Sequence, residues 1–374
     1  MFPAAGQNFL AGLRGALVEA GVAHVLHTEP VGVCGDKDVV ADRIQRLLLQ
    51  QSPDVVTGIM GAGVLRQVHT HFSDADTPFL VNDLGGDPLM TGGARNPWVF
   101  GNTLHLWQSM YALGEWAART IGRRACVAAG LHEGGYGIVH AFWLGFCDAG
   151  GGEVLATEVT HRDTADDDPT EHVRRLAALE PDLVMAFYAG REGISFAQTW
   201  SALGLAGRLP LLASPLMMHD YWRPKMPAET LDGLRTAWSW DTTARGEAHD
   251  RFRLACGVTP GKEPAVFTLL GYETGQMLAA AQRTTGVELT GGLAWRDALS
   301  GVCFTSPRGD LRVDPDSGEV EAGVSLFEWR LAVDGQPGPV RVGPLATTAA
   351  CLAAYAAIKA GDTRSGWFNP YLVT

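Results

Sequence analysis

The stretch "LHEGGYGIVHAF", residues 131–142, has the residue types of a reactive or anion-holding site. A glycine-rich turn opening a helix can cradle a phosphate on free backbone N–H groups. The spacing is incomplete, because Gly135 and Gly137 are followed by Ile138, Val139 and His140, and no third glycine closes a GxGxxG pattern. The lysine of a GxxxxGK[ST] loop is missing too, and Glu133 would set a carboxylate beside the phosphate. "HEGGY" also begins like the zinc motif HExxH, but Tyr136 replaces the second histidine and two glycines disfavour the helix it needs. His69 and His71 fall on different faces of a helix and read as solvated surface side chains. The run Asp166 to Asp168 reads as the cap of the helix after it, with Pro169 in its first turn and Glu171 completing a capping box. Ser214 and Ser306 both precede proline, and neither GxSxG nor SxxK occurs, so no catalytic residue is assigned. Cys34, Cys126, Cys147, Cys256, Cys303 and Cys351 form no CxxC pair and no tight spacing with histidine, which points away from a metal site and from a disulfide scaffold.

What remains are residues suited to holding a small molecule. Tyr136, Phe187 and Tyr188 are aromatic residues at the ends of strand-like runs; Gly61, Ala62, Gly85 and Gly86 offer backbone groups, and Asp83 a carboxylate. Aromatic walls with a few fixed polar groups make a ligand pocket. Core packing is the competing role for each aromatic.

The elements that position these residues alternate. "HVLHTEP", "PDVVTGIMG", "TPFLVND", "ACVAAG", "EVLATEVT", "DLVMAFYAG" and "PLLASP" read as strands, and the segments between them carry helical periodicity. Such alternation predicts βαβ units, parallel sheets and an α/β fold, with ligands at the carboxyl ends of the strands. Two successive series of this kind predict two lobes. "GDLRVDPDSGEVEAGVSLFEWRLAVDGQP" reads as a hairpin region turning at Asp-Pro-Asp-Ser-Gly. The 374 residues, 46% hydrophobic and 19% charged, suffice for two cores. A net charge of −12 without a basic stripe leaves no footprint for nucleic acid. No window approaches the eighteen apolar residues of a membrane span, so direct membrane insertion is not expected.

The order and wording of these segments resemble the solute-binding proteins of the leucine/isoleucine/valine-binding type. The resemblance lies in "AAGQNFLAGLRGAL", "SPDVVTGIMGAG", "TPFLVNDLGG", "GGYGIVHAFWLGFCDAGGGEV", "EPDLVMAFYAGREG", "ALGLAGRLPLLASP" and "FTLLGYETGQML", which cover nearly the whole chain in family order. It implies a type I periplasmic binding protein fold: two Rossmann-like lobes with parallel sheets, joined by three hinge crossings. Lobe one would comprise residues 1–120 and 244–325, and lobe two 121–243 and 326–374, with crossings near 119–123, in "TAWSWDTT" and near Ser325–Arg330. It further implies an extracytoplasmic component of an ABC importer, partnered by a membrane permease, with no cofactor, no metal and no catalysis. By position, Gly61 and Ala62 would face an anionic ligand group beside Asp83, Leu84 and Gly85. Tyr136 would form one wall, Phe187 or Tyr188 the opposing one, and Phe267 would close the far side.

Four departures shape the expectation. Amino-acid binders of this family carry an acidic residue where this chain has Ala213, Ser214, Pro215 and Leu216, and their first loop is rich in hydroxyls where this one reads Gly61-Ala62-Gly63. The expected ligand is therefore a small polar, amine, amide or aromatic molecule, with Asp83 as the available carboxylate. Cys34 sits where some relatives have half a disulfide, but the partner loop holds Met60 and Gly61. The family's opening strand is not found before "PAAG", so the gene product is expected to extend upstream with that strand and a signal peptide. A cytoplasmic ligand sensor of the same fold is the alternative, and an α/β enzyme a more distant one.

Overall fold

The computed structural model describes residues 4–32, 36–92, 95–131, 137–160, 168–219, 221–259, 264–286, 289–333 and 335–361. Cys34, Glu133, Tyr136, Asp166 and Asp167 lie outside them.

The first layer begins with α1 (Ala5–Glu19) and α2 (Lys37–Gln51), followed by β1 (Val56–Ile59), α3 (Ala62–Val68), α4 (Thr70–Asp74), β2 (Phe79–Asp83) and β3 (Val99–Thr103). Asp36 starts α2 as its cap, accepting from Asp38 N and Val39 N at 2.9 and 3.3 Å. β1, β2 and β3 form a three-stranded parallel sheet in that order. "HVLHTEP" is not a strand: residues 22–31 have no regular structure, and no strand pairs with the outer edge of β1 among the described residues. Alternating apolar residues do not make a strand when no neighbour takes up the backbone hydrogen bonds.

The second layer contains α5 (Leu106–Thr120), β4 (Arg124–Gly130), α6 (Gly137–Trp143) running into a π-turn at Leu144–Ala149, β5 (Glu153–Thr160), α7 (Thr170–Ala178), β6 (Leu183–Phe187), α8 (Gly190–Ala202), β7 (Leu211–Ala213), α9 (Ala228–Leu231) and β8 (Arg235–Trp238). The chain returns to the first layer with α10 (Glu247–Ala255), α11 (Val266–Thr285), α12 (Gly292–Leu299) and the small antiparallel sheet β9 (Cys303–Ser306), β10 (Gly309–Val313) and β11 (Val320–Glu321). It then adds β12 (Val324–Leu331) and β13 (Pro337–Leu345) to the second sheet and ends in α13 (Ala349–Ala360). The second sheet has seven strands in the order β13-β12-β8-β7-β6-β4-β5, parallel except where β12 pairs with β8 and β13.

Period-two patterning explains why this sheet is covered on both sides. Ala125, Val127 and Ala129 of β4, with Leu183, Met185 and Phe187 of β6, belong to the core under α5 and α6. Their neighbours Cys126, Ala128, Val184 and Ala186 belong to the core under α7 and α8. α5, placed by the sequence at the end of lobe one, packs on this second sheet, and Thr348 ties α13 to it through Glu115 at 3.0 Å.

Several local expectations change. Pro169, not Asp168, is the cap residue of α7; Asp168 lies one residue earlier and accepts from Thr170 N at 3.0 Å, and Glu171 pairs with Arg174 instead of reaching back. His69 is half-buried and bonded to Asn96 Nδ2 at 2.9 Å, so it is not a solvated surface side chain; burial also pushes its pKa down. The Asp-Pro-Asp-Ser-Gly turn forms as expected: Asp314 accepts from Asp316 N and Ser317 N, and Gly318 adopts φ 73°.

α1 and α11 cross at backbone contact because both carry glycine there. A Cβ on Gly12 would lie 2.0 Å from Thr268 O, and one on Gly271 would lie 2.0 Å from Phe9 O. Helix propensity alone favours Gly271→Ala by roughly 1 kcal/mol. The backbone clash reverses that sign, and a net loss of about 2 kcal/mol is expected in urea unfolding. A stabilised variant would show that the helices do not meet this closely.

Candidate functional site

The described residues singled out from the sequence lie at the carboxyl ends of β1, β2 and β6, apart from Phe267 in α11. Gly61 caps α3 in extended backbone, is exposed, and has open space where a Cβ would stand; Ala62 beside it is buried. Met60 N bonds to Asn82 O at 3.1 Å, which places this loop next to the one after β2. In that second loop Asp83 Oδ2 accepts from Gly85 N at 3.0 Å, so this amide is already engaged. Leu84 O and Gly85 O accept from Leu106 N and Trp107 N at 3.2 and 2.7 Å, capping α5. Gly85 needs its φ of 76°, and a Cβ there would stand 2.9 Å from His105 N. Gly86 faces Ile138 at the start of α6 across the junction. Burial raises the Asp83 carboxyl above the usual range, against the backbone N–H groups of Gly85 and Leu84.

Phe187 and Tyr188 pack in different cores. Successive strand residues point to opposite faces. Phe187 meets Phe142 edge-on in one core, at 6.2 Å between ring centroids, while Tyr188 stacks on Phe196 at 4.7 Å in the other. Both are fully buried. Phe267 is buried in the first turn of α11.

The junction holds a polar network that the sequence did not reveal. Arg308, at the tip of the β9–β10 hairpin, forms a bidentate pair with Glu273 of α11 at 2.8 and 2.7 Å, and both side chains are 0% exposed. The same guanidinium donates to Thr103 O at 2.9 Å, Asn102 Oδ1 at 3.1 Å and Ser239 Oγ at 3.3 Å. Ser239 Oγ donates to Leu104 O at 2.7 Å, so the segments that follow β3 and β8 are pinned at one point. His105 adopts φ 51° beside this charge. Burial first, and Arg308 second, lower its pKa to about 3, against a backbone contact to Val320 that raises it. The only sequence signal was Ser306-Pro307-Arg308-Gly309, a hairpin turn with an arginine in it.

Beside the network, a cavity of about 150 Å³ opens between the two layers. Its walls are Pro215 and Leu216 after β7, Thr236, Trp238 and Trp240 along β8 and its exit, Trp329 of β12, and the amino end of α11. None of the sequence-derived site residues is in this lining. Trp238 and Trp240, two apart in "TAWSWDTT", were the available signal, since period two puts them on one face with Thr236. Among the described residues no group of three or more His, Cys, Asp or Glu side chains could hold a metal ion, and no helix is long and apolar enough to cross a membrane.

A family model described as periplasmic binding protein matches residues 34–336. The chain belongs to this family. The solved structure of an ABC transporter substrate-binding protein from Sphaerobacter thermophilus is 24% identical, with a TM-score of 0.79 over 91% of this chain and 93% of that one. A solute binding protein from R. palustris in complex with benzoate is 20% identical, with a TM-score of 0.73 over 92% and 93%. A leucine binding protein from Thermotoga maritima is 16% identical, with a TM-score of 0.68 over 91% and 94%. At these identities the likeness is one of fold, the type I periplasmic binding protein fold. A comparison with curated proteins finds no match.

Two outcomes test the junction. Arg308→Met strands the Glu273 carboxylate and should cost about 3–5 kcal/mol in denaturant unfolding, with part recovered in the double variant Arg308→Met/Glu273→Met. His105 is neutral when folded, so its contribution is present above the unfolded pKa of about 6.5 and is lost as pH falls toward its folded value of about 3. The wild type should therefore lose stability relative to His105→Asn over that window. Parallel pH–stability curves would refute the assignment.

Proposed function

We propose that the chain is the extracytoplasmic substrate-binding component of an ABC importer, which clasps a small aromatic ligand between two lobes and presents it to a membrane permease. The observation that carries this reading is the tryptophan-lined cavity between the carboxyl ends of β7 and β8 and the amino end of α11. Membership of the periplasmic binding protein family and the neighbours that bind small solutes support it. Closure would be driven by the ligand's contacts with both lobes, and no bond is made or broken.

The ligand is not an ordinary α-amino acid. Ala213, Ser214, Pro215 and Leu216 offer no carboxylate to an ammonium group. Asp83 is a poor substitute, since it is bonded to Gly85 N and burial disfavours its charge. The sequence-derived lobes, 1–120 with 244–325 and 121–243 with 326–374, are kept here except at the first boundary. The packing of α5 on the seven-stranded sheet favours moving the first crossing back from 119–123 to Leu104–Leu106. Gly61, Ala62, Asp83, Leu84 and Gly85 line the first-lobe side of the cleft in this reading, with Phe267 at its far edge.

A thermal-shift screen over amino acids, amides, polyamines and aromatic acids tests the proposal. An aromatic solute at a hundred times its Kd should stabilise the protein by about 2.7 kcal/mol. The complex should be more compact by small-angle scattering, and cell fractionation should place the protein outside the cytoplasm. Preference for α-amino acids, or recovery in the cytoplasm, would overturn the corresponding part.

A further inference from the structure

The two ends of the last helix are held by different layers. α13 opens at Thr348, whose hydroxyl accepts from Cys351 N at 3.2 Å and donates to Glu115 Oε2 of α5 at 3.0 Å. Cys351 and Ile358 are buried in the core that α5 shares with the seven-stranded sheet. The body of the helix therefore belongs with the second layer. Its last turn reaches the first: Lys359 O accepts from Gly92 N at 2.8 Å, in the segment between β2 and β3, and Lys359 Nζ pairs with Glu319 Oε1 at 2.8 Å. Glu319 is fixed to the first sheet through its bridge to Gly101 of β3.

Between these ends the helix lies beside the start of α5. Tyr355 packs on Trp107 at 5.2 Å between ring centroids, and Trp107 N is the amide that bonds Gly85 O across the junction. Burial first, and Glu319 second, push the Tyr355 hydroxyl well above its usual pKa, against a side-chain hydrogen bond from Gln108. Lys359 Nζ stands 5.6 Å from the centre of the Tyr355 ring, so the ammonium has an aromatic face on its own helix and a carboxylate in the other layer. The Lys359 and Glu319 side chains are 29% and 16% exposed, against 59% and 68% for the surface pair of Arg174 and Glu171. Solvent screens the pair across the junction less, and it is the more able to hold two bodies together.

We propose that α13 is a strap across the junction, rooted on α5 and latched to the first layer by Lys359, Glu319 and Gly92, so that parting the lobes to open the cleft must first break the latch. This rests on the reading that two lobes close around a solute. Hinge motion carries each lobe as a body, and an attractive contact between two bodies resists their separation. The root has a capping hydroxyl, a bond to Glu115 and two buried side chains, whereas the latch has one ion pair and one backbone bond. The latch is therefore the end that releases.

Small-angle scattering and hydrogen-exchange mass spectrometry on the ligand-free protein test the strap. Lys359→Met should enlarge the radius of gyration and speed exchange at Gly92 about fivefold, with circular dichroism confirming the fold. Glu319→Gln should do the same, the double variant should add nothing further, and Lys359→Arg should stay close to wild type. Arg174→Met, which removes the surface pair, should leave both readings unchanged. Faster exchange at Gly92 with unchanged scattering would reduce the contact to a local clasp and overturn the strap. If solutes from the screen compact the wild type while Lys359→Met scatters as wild type without them, the strap fails and the closure reading stands. If neither solute nor variant changes the scattering, both fail.

Discussion

The buried pair between Arg308 and Glu273 is the contact on which the junction depends. Removing two charges from water is costly, and a buried pair recovers that cost only with good geometry and every remaining donor satisfied. Arg308 meets that condition, with two bonds to Glu273 and three more to Thr103, Asn102 and Ser239. The pair joins a hairpin tip, a twenty-residue helix, a strand end and a crossing segment, elements far apart in sequence. Behind it the network continues through Asn102, Asn82 and Thr57 into β1, and Thr274 of α11 donates to Asn82 at 2.9 Å. A hydrophobic junction could be as stable, but five directional bonds to four partners fix one arrangement of the first sheet against α11.

That fixed side faces an apolar one. The loop after β7 and the outer face of β8 and β12 present Leu216 and the tryptophans, while the loops after β1 and β2 are backbone and carboxylate. A binding protein that works by closure needs surfaces whose contacts with a solute are complete only when the lobes meet. Backbone carbonyls of Leu84 and Gly85 are consumed in holding α5, so this loop acts first as a joint.

How much of this was legible can be judged from particular residues. The apolar runs "ACVAAG" and "DLVMAF" were legible as strands of a parallel sheet, whose two faces the structure shows buried, and Asp314 to Gly318 turned as their chemistry required. β3 was missed, because Val-Phe-Gly-Asn-Thr carries two poor strand formers and its support comes from β2 and Glu319 across the sheet. α12 was missed as well. Phe187 or Tyr188 was read as the wall opposite Tyr136; adjacent in sequence, the two diverge to opposite faces of the sheet and pack in different cores. His69 looked solvated because Asn96, twenty-seven residues away, is not its neighbour in any local pattern.

By itself the sequence determined the α/β class, the two series of elements, the family resemblance and the absence of an acidic partner at Ala213 to Leu216, since each depends on local periodicity or on residue identity. Tertiary structure alone decided that Arg308 meets Glu273, that α5 belongs with the second sheet, and that Trp238, Trp240 and Trp329 share one cavity with the end of α11. These are contacts between segments tens to hundreds of residues apart. Their partners are selected by packing, strand order and the crossing of helices at glycine, and no local window of sequence contains both sides of such a contact.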